Sequence, residues 1–171
     1  MNLLIEGDNY HSLAVLNFTH QNAIDIIYID PPYNTGSNDF RYNDKFVDKE
    51  DGYRHSKWLS FMSKRLSLAK NLLSDKGLIF ISIDDNEYAQ LKLLCDRIFV
   101  ESNYRNTIII RRGAKNVQAQ FDTIDRLGSG YEFVLVYSKK TNYRFPKAMR
   151  QLQEKKGGGW NNHWRGTDRP S

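Results

Sequence analysis

The sequence predicts an α/β fold built on a doubly wound, mostly parallel sheet, and three observations carry that prediction. "AIDIIYID", "GLIFISID" and "NTIIIRR" are short runs rich in β-branched residues and apolar on both faces, as strands inside a parallel sheet are. "NYHSLAVLNF", "KWLSFMSKRLSLAKNLLSDKG" and "NEYAQLKLLCDRIF" return an apolar residue every three or four positions, which gives a helix one buried stripe. The two kinds of segment alternate along the chain, as crossovers between parallel strands demand.

In chain order, "NLLIEGD" is predicted to be a short strand ending at a turn through Gly7 and Asp8. The helix after it gathers Leu13, Leu16 and Phe18 on one face. "AIDIIYID" then completes a β-α-β unit. "SNDFRYNDKFVDKEDGYRHS" has no clean period and many turn formers, so it reads as a long mobile loop. In the next helix Trp58, Leu59, Met62, Leu66, Ala69 and Leu73 keep the three-and-four spacing, with Gly77 placed as C-cap. Strand, helix and strand follow, then the polar, irregular "GAKNVQAQFDTIDRLGSGYEF", and "YEFVLVYSKK" closes with a strand. Residues 1–140 are thus expected to form the α/β domain. Residues 141–171 mix basic, glycine and aromatic residues without a period, and are expected to begin a further region or to form an irregular tail.

The 171 residues, 40% of them hydrophobic, suit one domain that buries roughly 70% of its unfolded surface. A surplus of 25 Lys and Arg over 20 Asp and Glu gives a net charge of +5 and leans toward an anionic partner. The single Cys95, inside an apolar helical pattern, has no disulfide partner and reads as a core residue in a reducing, cytoplasmic compartment. No apolar run approaches the length of a membrane span and no leader pattern opens the chain, so neither membrane nor secretion is expected. His11, His20, His55 and His163 show no metal-site spacing, and no metal is expected.

The stretch "IIYIDPPYNTG" places Asp30, Pro31, Pro32 and Tyr33 at the carboxyl end of a predicted strand, where open α/β sheets bind ligands. Two prolines hold the chain extended and leave the carbonyls of Asp30 and Pro31 with no helix to join. A carboxylate, a bare carbonyl and a ring suit a planar ligand bearing an amino group: the oxygens take its N–H bonds and the ring stacks on its face. An exocyclic base amine is such a group. Two acceptors that draw its hydrogens out of plane return lone-pair density to nitrogen and stabilise the charge that develops as it attacks an electrophilic methyl group. The bland reading is a strand-ending turn and nothing more.

With "IDIIYIDPPYNTG", the block from "WLSFMSKRLSLAKNLLSDKG" through "LIFISIDDNEYAQLKLLCDRIFVESNY", and "YEFVLVYSKK", the sequence closely resembles the beta-class DNA adenine-N6 methyltransferases. The resemblance is strongest to the modification subunits of Type III restriction systems, over roughly residues 3–140. It implies a Rossmann-like domain of the S-adenosylmethionine (SAM)-dependent methyltransferase type, incomplete here, that takes a methyl group from SAM. Its partner would be double-stranded DNA with a flipped adenine, and a second copy and a restriction subunit would be further partners. Carried over residue by residue, Asp30 and the Pro31 carbonyl would hold the adenine amine, Tyr33 would stack on the base, and Asp30, Pro32 and Asp8 would lie against SAM. Asp8 is equally a helix N-cap. Asp84, Asp85 and Glu87 look like further catalytic carboxylates, while Asp85 or Asn86 can also cap the next helix. The family's glycine-rich F-x-G-x-G loop for the methionine half of SAM is absent: "LGSGYEF" precedes a strand instead of joining a strand to a helix.

DNA contacts are expected from Arg41 and Lys45 with the rings of Phe40, Tyr42 and Phe46 around them, and from Arg111, Arg112 and Lys115 after a strand end on the ligand side. The first group could equally be a solvated loop folded over the core. An inactive DNA-binding fragment, or a methyltransferase acting on RNA or on protein glutamine, are the alternatives left open.

Overall fold

The computed structural model describes residues 2–36, 38–43, 45–111 and 130–145. In chain order these form α1 (Asn9–Thr19), β1 (Ile24–Ile29), β2 (Arg41–Tyr42), β3 (Lys45–Phe46), α2 (Arg54–Leu72), β4 (Leu73–Ile83), α3 (Tyr88–Phe99), a short 3-10 turn (Glu101–Asn103), β5 (Tyr104–Arg111) and β6 (Tyr131–Ser138). One compact unit spans Met1–Thr141. Of the rest, only residues 142–145 are described, where the Tyr143 and Phe145 rings meet edge to face. Arg112 and Lys115 lie outside the described residues.

The main sheet has the order β1-β4-β6-β5. β1 is parallel to β4, and β6 is antiparallel to both β4 and β5, so β1, β4 and β5 point one way and β6 alone is reversed between them. The expected α/β class therefore holds, with a mixed sheet: β1 and β4 pair in parallel, and both pairings of β6 are antiparallel. α1 packs beside α2 and α2 beside α3, and the buried stripes of α2 and α3 meet Ile79, Ile81 and Ile83 of β4 and Leu135 and Tyr137 of β6 in a common core, whereas α1 buries no residue fully and leaves Phe18, expected on its apolar face, 90% exposed.

The four predicted strands at β1, β4, β5 and β6 are present, but "NLLIEGD" is not one. Residues 2–8 have no regular structure, and among the described residues β1 is an edge, paired with β4 alone. Its apolar run is covered on one face only, Ile27 and Ile29 packing on the core while Ile26 and Tyr28 are 66% and 62% exposed. The region read as a mobile loop is also ordered: β2 and β3 pair as a small hairpin, and Phe40 and Val47 flank it at 2% and 3% exposure. Gly77 is not a helix C-cap. Helix α2 ends at Leu72, and Gly77 lies within β4, where the register to β1 slips between Ile24 and Ile26. A Cβ there would stand 2.9 Å from the Ile24 carbonyl oxygen, so the close approach of two backbones accounts for the glycine.

Candidate active site

Asp30 follows the last residue of β1 and stands exposed at the edge of the sheet where the parallel neighbours β1 and β4 end. The inner side of the corner is tied to the core. Trp58, fully buried on α2, donates its indole N–H to the Pro32 carbonyl at 2.7 Å. Asn34, 1% exposed, donates its amide to Glu87 Oε1 at 2.5 Å and to the Arg54 carbonyl at 3.4 Å. His55 Nδ1 meets the same Glu87 oxygen at 2.7 Å. The "NTG" after the corner also has backbone reasons. Asn34 sits at φ +57°, a left-handed conformation that asparagine tolerates. Gly36 sits at φ +82°, and a Cβ there would lie 2.6 Å from that of Lys49.

On the outer side, the half-buried Tyr33 has its hydroxyl beside the Asp30 carboxylate. Burial, together with that contact and the Asp30 charge, pushes the phenol well above its usual range. Among the described residues no backbone donor reaches the Pro31 carbonyl. A cavity of about 300 Å³ opens beside residues 30–32, walled by Leu13 of α1, Ile27 and Ile29 of β1, and Phe61, Met62 and Arg65 of α2. Apolar walls with a carboxylate and a guanidinium at the margin suit a flat ligand carrying a few polar atoms.

Asp8 caps α1. Its Oδ1 accepts from the backbone N–H of Tyr10 at 2.9 Å and of His11 at 3.4 Å, while Oδ2 faces Arg65 Nη2 at 3.2 Å. Slight burial opposes ionisation, but the two backbone bonds and the Arg65 charge outweigh it and hold the carboxyl below its usual value. Asp8 also borders a second cavity of about 280 Å³ with Arg41, Lys64 and Arg65. Before α3, it is Asp84 that closes the turn, accepting from the backbone and side-chain N–H groups of Asn86 at 2.9 and 2.8 Å. Neither Asp85 nor Asn86 caps that helix, whose first turn begins after Glu87.

This corner, with an exposed carboxylate at the end of a parallel strand and a reversed strand β6 inside the sheet, can be set beside known proteins. A family described as DNA methylase, grouping N6 and N4 methyltransferases, matches residues 24–169. The chain belongs to this DNA methylase family. It is 41% identical to the Mod subunit of the Type III restriction-modification enzyme StyLTI of Salmonella typhimurium, over 81% of this chain and 24% of that protein. It is 44% identical to the Type II methyltransferase M.KpnI of Klebsiella pneumoniae, over 78% of this chain and 31% of that one. The chain thus spans about a quarter to a third of these relatives. In fold it is similar to a DNA modification methylase of Thermus thermophilus solved with S-adenosyl-L-methionine (TM-score 0.55, 16% identity, 92% of this chain and 60% of that one). It is also similar to the cytosine-N4-specific PvuII DNA methyltransferase (TM-score 0.57, 12% identity, 81% of this chain and 49% of that one).

Within this methylase fold the predicted residues fall into separate places. Asp30, Pro31, Pro32 and Tyr33 share the corner, and Asp8 lies across α2 from it through Arg65, which lines both cavities. Arg41 is exposed on β2 with its guanidinium 4.1 Å from the centroid of Phe46, and Lys45 is exposed on β3. Phe40, grouped with them as a base-facing ring, is in the core, where it meets Phe61 edge to face. Arg111 ends β5 on the same edge of the sheet as Asp30 but three strands away, roughly 14 Å at normal strand spacing. The sequence reading missed two roles. Trp58 was read only as core, although a buried indole N–H needs an acceptor. Glu87 was grouped with Asp84 and Asp85 as a further catalytic carboxylate, yet it lies four and seven positions before Leu91 and Leu94, in line with the buried stripe of α3.

Proposed function

We propose that this chain carries the base-binding corner of a SAM-dependent DNA methyltransferase acting on adenine N6 within a restriction-modification system. The observation that carries this reading is the outer side of the corner: an exposed Asp30 carboxylate and an unengaged Pro31 carbonyl beside an apolar cavity, with the Tyr33 ring adjoining. In this reading the flipped adenine presents its amine to Asp30 and the Pro31 carbonyl and stacks on Tyr33, while Asp30, Pro32 and Asp8 border the cofactor. SAM supplies the electrophilic methyl group. The two acceptors orient the amine for attack and stabilise the positive charge that builds on nitrogen, and the proton becomes acidic once the nitrogen is alkylated. Arg41, Lys45, Arg111, Arg112 and Lys115 would neutralise phosphates of the duplex. A second copy of the chain and a restriction subunit would complete the assembly, as the Mod subunit names of the relatives point to. Residues 1–140 would be the catalytic part, and residues 141–171 the start of target recognition.

The residues present fit the reacting end of the cofactor and not its methionine half. The G-x-G of "LGSGYEF" ends at Gly130, directly before β6, so it opens a strand and not a helix. That observation favours a second reading, in which these 171 residues by themselves are an inactive DNA-binding part. Losing the loop's contacts would remove about 3 to 5 kcal/mol, roughly a hundred- to several-thousandfold in SAM affinity. Radiolabelled methyl transfer from SAM to unmethylated genomic duplex DNA, followed by digestion to nucleosides, tests both. The whole gene product is expected to yield N6-methyladenine, and label in N4-methylcytosine or in RNA would overturn the substrate assignment. The 171-residue chain is expected to bind DNA weakly, with strong salt dependence, and to transfer nothing measurable. Labelled N6-methyladenine from it would show that the glycine loop is dispensable.

A further inference from the structure

Glu87, grouped by sequence with the candidate catalytic carboxylates, is completely buried at the junction of β4 and α3, out of reach of a base at the corner's exposed side, and the proposed chemistry does not use it. Burying a carboxylate is costly unless partners compensate it, and an apolar side chain of similar size would serve packing at least as well. Its partners are specific. Oε1 receives the Asn34 amide at 2.5 Å and meets His55 Nδ1 at 2.7 Å, whereas Oε2 has no protein donor among the described residues. Asn34 directly follows Tyr33, and His55 is in the first turn of α2, the helix whose Trp58 holds the Pro32 carbonyl. One oxygen of Glu87 therefore joins the start of α3, the start of α2 and the residue that closes the corner.

We propose that Glu87 is a positioning residue for methyl transfer. By holding the Asn34 amide in its left-handed conformation, it fixes the direction in which the chain leaves Tyr33 and hence the aim of Asp30 and the Pro31 carbonyl. This inference rests on the proposed reading of the corner. A misplacement of a fraction of an ångström there lowers the rate of an oriented reaction while leaving ground-state binding in place.

The test uses the whole gene product with SAM and unmethylated genomic duplex DNA. Glu87→Ala is expected to lower kcat tenfold or more, with KM for DNA and for SAM changed less than twofold. Glu87→Gln keeps Oε1 as an acceptor and should retain at least a third of kcat. Leu91→Ala, a cavity variant one turn along the same stripe, should lower thermal stability but keep kcat when assayed well below its melting temperature. Should Glu87→Ala fail to fold, Asn34→Gly removes the held amide at a backbone conformation glycine accepts, and it should show the same kcat loss. Full kcat in Glu87→Ala or Asn34→Gly, equal loss in Glu87→Gln and Glu87→Ala, or an equal loss in Leu91→Ala would each overturn the positioning role. A wild type that methylates nothing would overturn the reading of the corner itself, and this inference with it.

Discussion

On the inner side of the corner Trp58, Asn34 and Glu87 are at most 1% exposed, and each makes a hydrogen bond within the protein. On the outer side Asp30 is exposed beside the Tyr33 hydroxyl, and among the described residues no backbone donor reaches the Pro31 carbonyl. The inner side is buried and tied to the core; the outer side keeps acceptors ready for a ligand. A turn that served only to end a strand would have no need of a buried indole and a buried carboxylate behind it. The difference predicts that substitutions on the two faces will separate stability from turnover.

The inner face should give the largest stability effect. Trp58→Ala removes the core of the α2 stripe and is expected to cost about 3 to 5 kcal/mol in urea unfolding. Trp58→Phe keeps most of the packing and leaves the Pro32 carbonyl without its donor, for a loss of about 1 to 3 kcal/mol. If Phe cost as much as Ala, the hydrogen bond and not the packing would dominate. The outer face should do the reverse. Asp30→Ala is expected to lower turnover about a hundredfold or more, equivalent to roughly 2.7 kcal/mol of barrier, with stability unchanged within about 0.5 kcal/mol. Single-turnover methylation at the wild-type rate would remove Asp30 from the chemistry.

Tyr33 belongs to both faces. Its hydroxyl lies beside the Asp30 carboxylate, so Phe is not expected to be a neutral change as ring stacking alone would have it. Tyr33→Phe is expected to reduce kcat about tenfold by freeing the carboxylate, and Tyr33→Ala to reduce it further by removing the stacking face, which is worth about 1 to 3 kcal/mol. Equal activity of Phe and wild type would show that the hydroxyl has no part in the chemistry.

The outer face was legible in the sequence because its chemistry is local: Asp-Pro-Pro-Tyr after an apolar run fixes four residues, one strand end and one backbone geometry. The inner face was not, since Trp58 and Glu87 reach the corner from 26 residues after Pro32 and 53 residues after Asn34. The parallel pairing of β1 with β4 was readable from apolar runs alternating with helices, and the reversal of β6 was not. Nor was the one-sided cover of β1, because an apolar run looks alike whether one face or both are covered. Gly77 misled for a related reason. Glycine after a basic, apolar helix is the usual C-cap pattern, and only the close approach of Ile24 shows that β4 had already begun.

Asp8 should give the smallest effect and the cleanest sign. It stands at the far side of Arg65 from the corner, as a helix cap with an ion pair at 3.2 Å. Asp8→Ala removes the cap and should cost about 1 kcal/mol at neutral pH, whereas Asp8→Asn keeps an N-cap side chain and should cost a few tenths. Because the backbone bonds from Tyr10 and His11 and the Arg65 charge hold the folded carboxyl below its unfolded value of 3.8, its contribution is fully present above about pH 4 and is lost as pH falls through the folded value. The stability gap between wild type and Asp8→Asn, followed by urea unfolding from pH 7 downward, should therefore be constant to about pH 4 and close below it. A gap that instead widened in acid would mean that the protonated Asp8 is the form the fold prefers. A wild type and an Asp8→Asn variant equal in stability at every pH, but different in SAM affinity in the whole gene product, would move Asp8 from the cap to the cofactor.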